Sequence, residues 1–284
     1  MQSRIACGIA AGVVSLGAFA AMGQAEGAPP PAEPAATATP SAAEVFRRHA
    51  EALGGVEAFK KRKNSVSEGS VATDDGSYFG LLTIWNVAPN KTSVLVEVPG
   101  TISEHLFFNG EYGWALYPED RARVLRGGEL LDLAQSADSN APVELERVYT
   151  NAKVVGAATF KGARCWQVEG ESLYRKREIL YFDTATGLMR GMRTQVTTVQ
   201  GVRQSTVTME EYRDYDGIKV PVRIRQEIEG SPAVTIRLTK YRANVPESEL
   251  PDFELPEWFR QALERAAEAE REQGGGQPQR ADRP

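Results

Sequence analysis

The chain has 284 residues, 33 Lys or Arg against 38 Asp or Glu, 42% apolar residues, two Cys and two His. An ordinary apolar share with 25% charged residues excludes a wholly disordered, collagenous or polytopic membrane chain. A formal charge of -5 without a basic stripe excludes phosphate-backbone binding, and two histidines leave little from which to build metal or acid–base sites.

Arg4 precedes an apolar run from Ile5 to Met22, and Ala18-Phe19-Ala20 and Gly23-Gln24-Ala25 both offer small residues for cleavage. Residues 1–25 therefore read as a secretory signal peptide, so the mature chain is expected to be exported. The alternative is a membrane anchor, for which ~18 weakly apolar residues are the lower limit. Cys7 leaves with the signal, so Cys165 stands alone and no internal disulfide forms. The mature chain keeps 32 basic against 38 acidic residues, a charge of -6. Residues 26–40 are a Pro/Ala-rich linker with almost nothing to bury, and 274–284 a polar, disordered tail.

Between them the core opens with a helix. Ser41 caps it, Glu44 completes a capping box, Val45, Phe46, His49 and Leu53 share one face, and Gly54-Gly55 stop it. A helical turn follows at Val56 to Lys61. From Ser65 onward short alternating stretches are separated by Gly, Asn and Asp about every ten residues, the texture of an all-β region. Strands are expected at 65–73, 78–88, 91–99, 103–109, 112–117, 121–126, 151–160, 164–171, 177–183, 188–199, 203–215, 218–229 and 233–243. Hairpin turns are expected at Asp75-Gly76, Pro89-Asn90, Asn109-Gly110, Lys161-Gly162, Thr186-Gly187, Gly201 and Asp216-Gly217. The alternation is clearest where Ile218, Val220, Val222, Ile224 and Ile228 oppose Lys219, Arg223, Arg225, Glu227 and Glu229. Val94 and Val96 repeat it, as do Trp166 and Val168. Two short helices, Glu129 to Gln135 and Val143 to Tyr149, fall in a connection too long for a hairpin. The fold class is mainly β with helices (α+β): a large curved antiparallel sheet forming an unclosed β-barrel, helices covering its concave side and leaving an apolar space there.

Leu82-Thr83-Ile84-Trp85-Asn86-Val87-Ala88-Pro89-Asn90 resembles the strand and turn of the periplasmic outer-membrane lipoprotein-sorting family (LolA-like), with a Trp four residues before Pro-Asn. Asn109 to Pro118 resembles that family's next turn, with Trp114 four residues after Gly110 and a closing Pro. Tyr181-Phe182-Asp183 with Thr186-Gly187-Leu188, Tyr215 to Pro221, and Asn244-Val245-Pro246 are similar to the long-chain branch of the superfamily. The resemblance covers about 42 to 255, and 41–255 is taken as the half-barrel domain. It implies an open barrel that binds acyl chains and performs no covalent chemistry. One position departs: the carrier's functional arginine immediately before the Pro is Ala88 here.

The ligand-binding residues expected from alternation and this resemblance are Trp85, Val94, Val96, Trp114, Leu116, Trp166, Val168, Val220, Val222 and Ile224. Each Trp is either core or cavity wall. His49 and His105 read as satisfied structural histidines without a metal-ligand pattern, and Cys165 as a small strand residue. No G-x-S-x-G elbow, H-E-x-x-H, G-x-G-x-x-G or Walker loop is present, so no catalytic residue, metal or cofactor is expected. The functions left are a periplasmic carrier of an apolar or acylated ligand, an RseB-type envelope sensor binding a partner protein, and, last, a hydrolase. Beyond the barrel, Pro256 to Gln273 has helical spacing at Trp258, Phe259, Ala262, Leu263 and Ala266. Its start is expected to dock and its end to fray, so truncation after Ala269 should leave the melting temperature unchanged, whereas Trp258→Ala should cost a few kcal/mol if that ring is buried.

Overall fold

The computed structural model describes residues 39–100, 103–119, 121–174, 176–198 and 201–274. The expected signal peptide, the linker up to residue 38 and the tail from residue 275 lie outside them.

Helix α1 (Ala42–Leu53) begins where the sequence asks: Ser41 Oγ accepts the Glu44 N–H at 3.1 Å, and Gly54 ends it at φ 120°. Its buried face is Val45, Phe46, His49, Ala50 and Leu53. A single turn, α2 (Val56–Lys60), leads into β1 (Asn64–Thr73), β2 (Phe79–Val87), β3 (Lys91–Glu97), β4 (Ser103–Phe108), β5 (Gly113–Tyr117) and β6 (Arg121–Val124). Helix α3 (Gly127–Ala137) and the short α4 (Leu145–Val148) interrupt the sheet. It resumes as β7 (Tyr149–Phe160), β8 (Ala163–Ser172), β9 (Arg177–Asp183), β10 (Met189–Thr198), β11 (Gly201–Tyr215), β12 (Ile218–Ile228) and β13 (Val234–Ala243). The second inserted helix is shorter than its sequence pattern: Ala141–Val143 is a 3-10 turn, α4 a single turn, and Tyr149 already belongs to β7. Pro142 at the second position of that 3-10 turn has no N–H to give a longer helix.

Among the described residues thirteen strands form one antiparallel sheet in the order β6-β5-β4-β3-β2-β1-β13-β12-β11-β10-β9-β8-β7. Neighbours in the sheet are neighbours in sequence except at one seam, where Ser65 of β1 stands opposite Ala243 of β13. The sheet does not close, so β6 and β7 are its edges. The fold is a mainly-β, α+β unclosed barrel.

Helices cover the two flanks of the concave face. Under α3, Leu133 and Ala137 pack on Leu82, Val94, Val96, Leu106 and Phe108. Under α1 and α4, Val45, Phe46, Leu145 and Val148 pack on Val168, Leu180, Phe182 and Met192, with Phe46 edge-on to Phe182 at 5.7 Å. A smaller group, Ala50, Leu53, Phe59, Val143 and Ile218, joins the helices to β12. The residues from Asp252 on form a separate unit. It contains α5 (Glu257–Gly274), whose first turn is fixed by Phe259 and Arg260 N–H groups on the Pro256 carbonyl. Phe259 rather than Trp258 is the buried ring there, and the two stack at 5.3 Å.

Candidate functional site

Between the two packed flanks a cavity of about 370 Å³ remains. Its floor comes from six strands that are contiguous in the sheet, β2, β1, β13, β12, β11 and β10, and its roof from α1, α2, α3 and the segment around α4. This size falls within the range of small-molecule pockets.

The wall is mostly apolar. Val207, Ile224, Ile236 and Leu238 supply branched aliphatic surface, and Met189, Met192 and Met209 supply thioethers that fill irregular space. Met189 is held by its backbone: its N–H reaches Nδ1 of His49 at 3.2 Å, and its carbonyl accepts the Tyr212 hydroxyl at 2.8 Å. His49 Nδ1 also lies 3.2 Å from the Gly187 carbonyl, so the imidazole ties α1 to the β9–β10 turn. Burial lowers its pKa to about 4, and the ring is neutral at pH 7. It therefore positions the wall and carries no charge into it.

Behind the wall lies a buried carboxyl, Glu178 on β9, which accepts a hydrogen bond from Tyr149 and is influenced by the nearby amide of Gln135. Both residues line the cavity. Burial is the largest influence and pushes Glu178 up to about 8, against the lowering effect of these groups and of Lys176, which is itself paired with Asp132. The folded carboxyl thus stays protonated where the unfolded one ionises. Its contribution to stability is complete below pH 4.5 and is lost as pH rises through about 8. Between pH 5 and 8 the natural protein should lose stability, by a few kcal/mol, relative to Glu178→Gln. Urea midpoints at the two pH values measure this; parallel losses in both proteins would show that Glu178 is ionised in the fold. His49 and His105, both lowered to about 4 by burial, act on the other side, removing stability as pH falls from 6.5 toward 4.

Of the ten residues expected from the sequence, Val220 and Ile224 line the cavity. Val94, Val96, Val168 and Val222 point to the concave side but are sealed in the packed flanks, and Trp166 packs against the flank under α1. Trp85, Trp114 and Leu116 are on the outer face. Trp85 stands opposite Ser93, Ser93 opposite Phe107 and Phe107 opposite Trp114, so all four share one side of the sheet. There Trp85 donates to the Glu249 carbonyl at 3.1 Å and leans on His105, whose Nε2 shares a 2.6 Å hydrogen bond with Ser93. Phe107 and Trp114 stack with centroids 5.2 Å apart. The parity of β2 follows from its neighbours: Ile84 and Asn86 face the cavity, so Trp85 cannot.

Sequence reasoning did not identify Arg62, Ser65 and Ser67 or the methionines as wall residues. A signal existed for the last: of five Met in the chain, the three that follow residue 22 all line the cavity. Cys165 is wholly buried on the outer face beside Phe160 and Tyr181, and burial pushes its thiol up to about 11, which makes it unreactive. Among the described residues no helix is long and apolar enough to cross a membrane.

No family model and no curated protein matches the chain. Solved structures do match. A LolA superfamily protein from Nitrosomonas europaea superposes with a TM-score of 0.52 at 12% identity, over 75% of this chain and 98% of that one. A DUF1329 family protein from Desulfovibrio piger gives 0.52 at 13% identity, over 75% and 96%. An outer membrane lipoprotein-sorting protein domain from Vibrio parahaemolyticus gives 0.50 at 11% identity, over 72% and 94%. The fold is therefore LolA-like, and identities this low speak to fold alone.

Proposed function

We propose that this protein is a periplasmic carrier or binding protein that holds a lipid, an acyl chain or another apolar ligand non-covalently in the central cavity. The observation that carries this reading is the contrast along the concave face. Both flanks are packed clusters of buried apolar side chains, while between them six strands leave a cavity with a mostly apolar wall that includes the small Ser65 and Ser67. The likeness in fold to a lipoprotein-sorting domain points the same way, as does the apolar Ile5 to Met22 segment for export.

The reading is tested by titrating the folded chain with a neutral apolar dye and then with envelope lipid extract. Saturable fluorescence enhancement reversed by lipid is expected. A folded sample with no saturable uptake would exclude the carrier function. The cargo is expected to differ from that of a lipoprotein carrier that uses arginine before the Pro-Asn turn. Ala88 is exposed in the turn after β2, and its N–H is already given to the Lys63 carbonyl at 2.8 Å. Neither the natural chain nor Ala88→Arg should support growth of cells depleted of their own carrier. Growth with the natural chain would make the arginine dispensable.

A further inference from the structure

The cavity is chemically two-ended. Met189, Met192, Met209, Val207 and Leu145 form one end, which is apolar. At the other, where β1 and β2 lie beneath the C-terminal end of α3, the wall turns polar. Ser65 and Asn86 are paired across β1 and β2, and Arg62 stands three residues before Ser65. All three line the cavity.

Arg62 has an unusual set of partners. Its Nη2 donates to the Ser139 carbonyl at 2.6 Å, its Nη1 to the Tyr241 hydroxyl at 3.0 Å, and its guanidinium lies 4.8 Å over the Phe59 ring. Every one of these groups is neutral. Among the described residues Asp138 is the one carboxylate in the wall, and it is already engaged: Arg147 Nη2 contacts its two oxygens at 2.9 and 2.7 Å, and Oδ1 also takes the N–H groups of Asn140 and Ala141. Among the described residues no carboxylate lies within ion-pair distance of Arg62. Two of its five N–H donors are occupied, leaving the rest of the fork for a ligand. In the same wall, Ser65 is 1% exposed and its hydroxyl has no partner. An unsatisfied hydroxyl at the edge of a cavity is a group awaiting a ligand's oxygen.

We infer that the occupant is an anionic amphiphile, its carboxylate or phosphate head bound by the Arg62 guanidinium and the Ser65 hydroxyl and its chain laid among Met189, Met192 and Met209. Arginine matches both heads because its planar fork presents paired N–H donors to two oxygens at once. A chain of net charge -5 repels anions at long range, so the preference arises locally, where the cavity wall removes water from the pair. This inference rests on the carrier reading and specifies its ligand.

The test is competition for Nile red, a neutral dye, by four probes of one chain length, all below their micellar concentrations at pH 8: laurate, dodecyl phosphate, dodecanol and dodecyltrimethylammonium. At least one of the two anions should displace the dye at about tenfold lower concentration than dodecanol, with the cation weakest. Whether laurate or dodecyl phosphate does so identifies the head as carboxylate or phosphate. Arg62→Gln should bring the anions to within about threefold of dodecanol without moving dodecanol itself, Arg62→Lys should keep part of the preference, and Ser65→Ala should weaken the anions alone. Equal displacement by all four probes overturns the anionic head, and an anion preference untouched by Arg62→Gln overturns its placement at Arg62; either result leaves the carrier function standing. No displacement by any probe, with no saturable dye uptake, overturns both. Should Arg62→Gln fail to fold, the comparison of heads on the natural chain and on Ser65→Ala decides.

Discussion

Val220→Trp should raise the dissociation constant for an apolar dye by at least about tenfold while the protein stays folded. Val220 is half-buried on β12 and faces the cavity between the two flanks, so an indole there has empty space to enter. In a filled core the same substitution would force neighbours off their rotamers at a cost of about 1–3 kcal/mol or more. Here the ring can take the volume that the ligand would take. Far-ultraviolet dichroism and a melting curve establish the fold, and dye titration the loss of uptake. Val155→Trp on the exposed edge strand β7, where Val155 is 53% accessible, serves as the control and should bind dye like the natural chain. Undiminished binding by Val220→Trp would place the ligand elsewhere.

The second large effect concerns the seam. Gly69 sits at the bulge where β1 shifts register against β13. A Cβ built on it would lie 2.0 Å from the Arg237 carbonyl oxygen and 2.9 Å from Leu238 Cα, both backbone atoms that cannot rotate away. Gly69→Ala must therefore part the strands at the one junction between the two runs of hairpins. A loss of about 3 kcal/mol or more in urea unfolding is expected. Gly128→Ala, near the start of α3, meets nothing within 4 Å and should be neutral or slightly stabilising. Similar stabilities for Gly69→Ala and the natural chain would mean that the bulge relaxes freely.

The strands were legible because their signals are local. Alternation sets strand parity over a few residues, and the turn residues punctuate it. At Asp216-Gly217 both backbones take positive φ, 52° and 84°, the pattern a tight hairpin requires and the reason this pair marks the end of β11 without ambiguity. The site was less legible, because whether an inward residue meets ligand or protein depends on where the helices land. Val94 and Val220 have the same alternation, yet Val94 lies under α3 and Val220 beside the gap. The aromatic residues misled for a related reason. Trp114 is 1% exposed, as a core residue should be, but it is buried on the outer face, so burial and inwardness part company there. In β1 the reverse holds: Ser65 and Ser67 face the cavity and Val66 the outside, and a rule that turns apolar residues inward assigns that strand the wrong way round.

The order of strands also constrains how this chain comes to be folded. Every pairing but one joins consecutive strands, and such hairpins form early because their loops are short and cheap to close. The β1–β13 pairing is the exception, bringing Ser65 to Ala243 across nearly the whole barrel. It raises the contact order of an otherwise local topology and must wait for the last strand to arrive. Until then β1 is an open edge beside an unfinished sheet, in a chain whose inner surface is largely apolar. The interval between the synthesis of β1 and that of β13 is thus the period in which this protein is most exposed to misassociation.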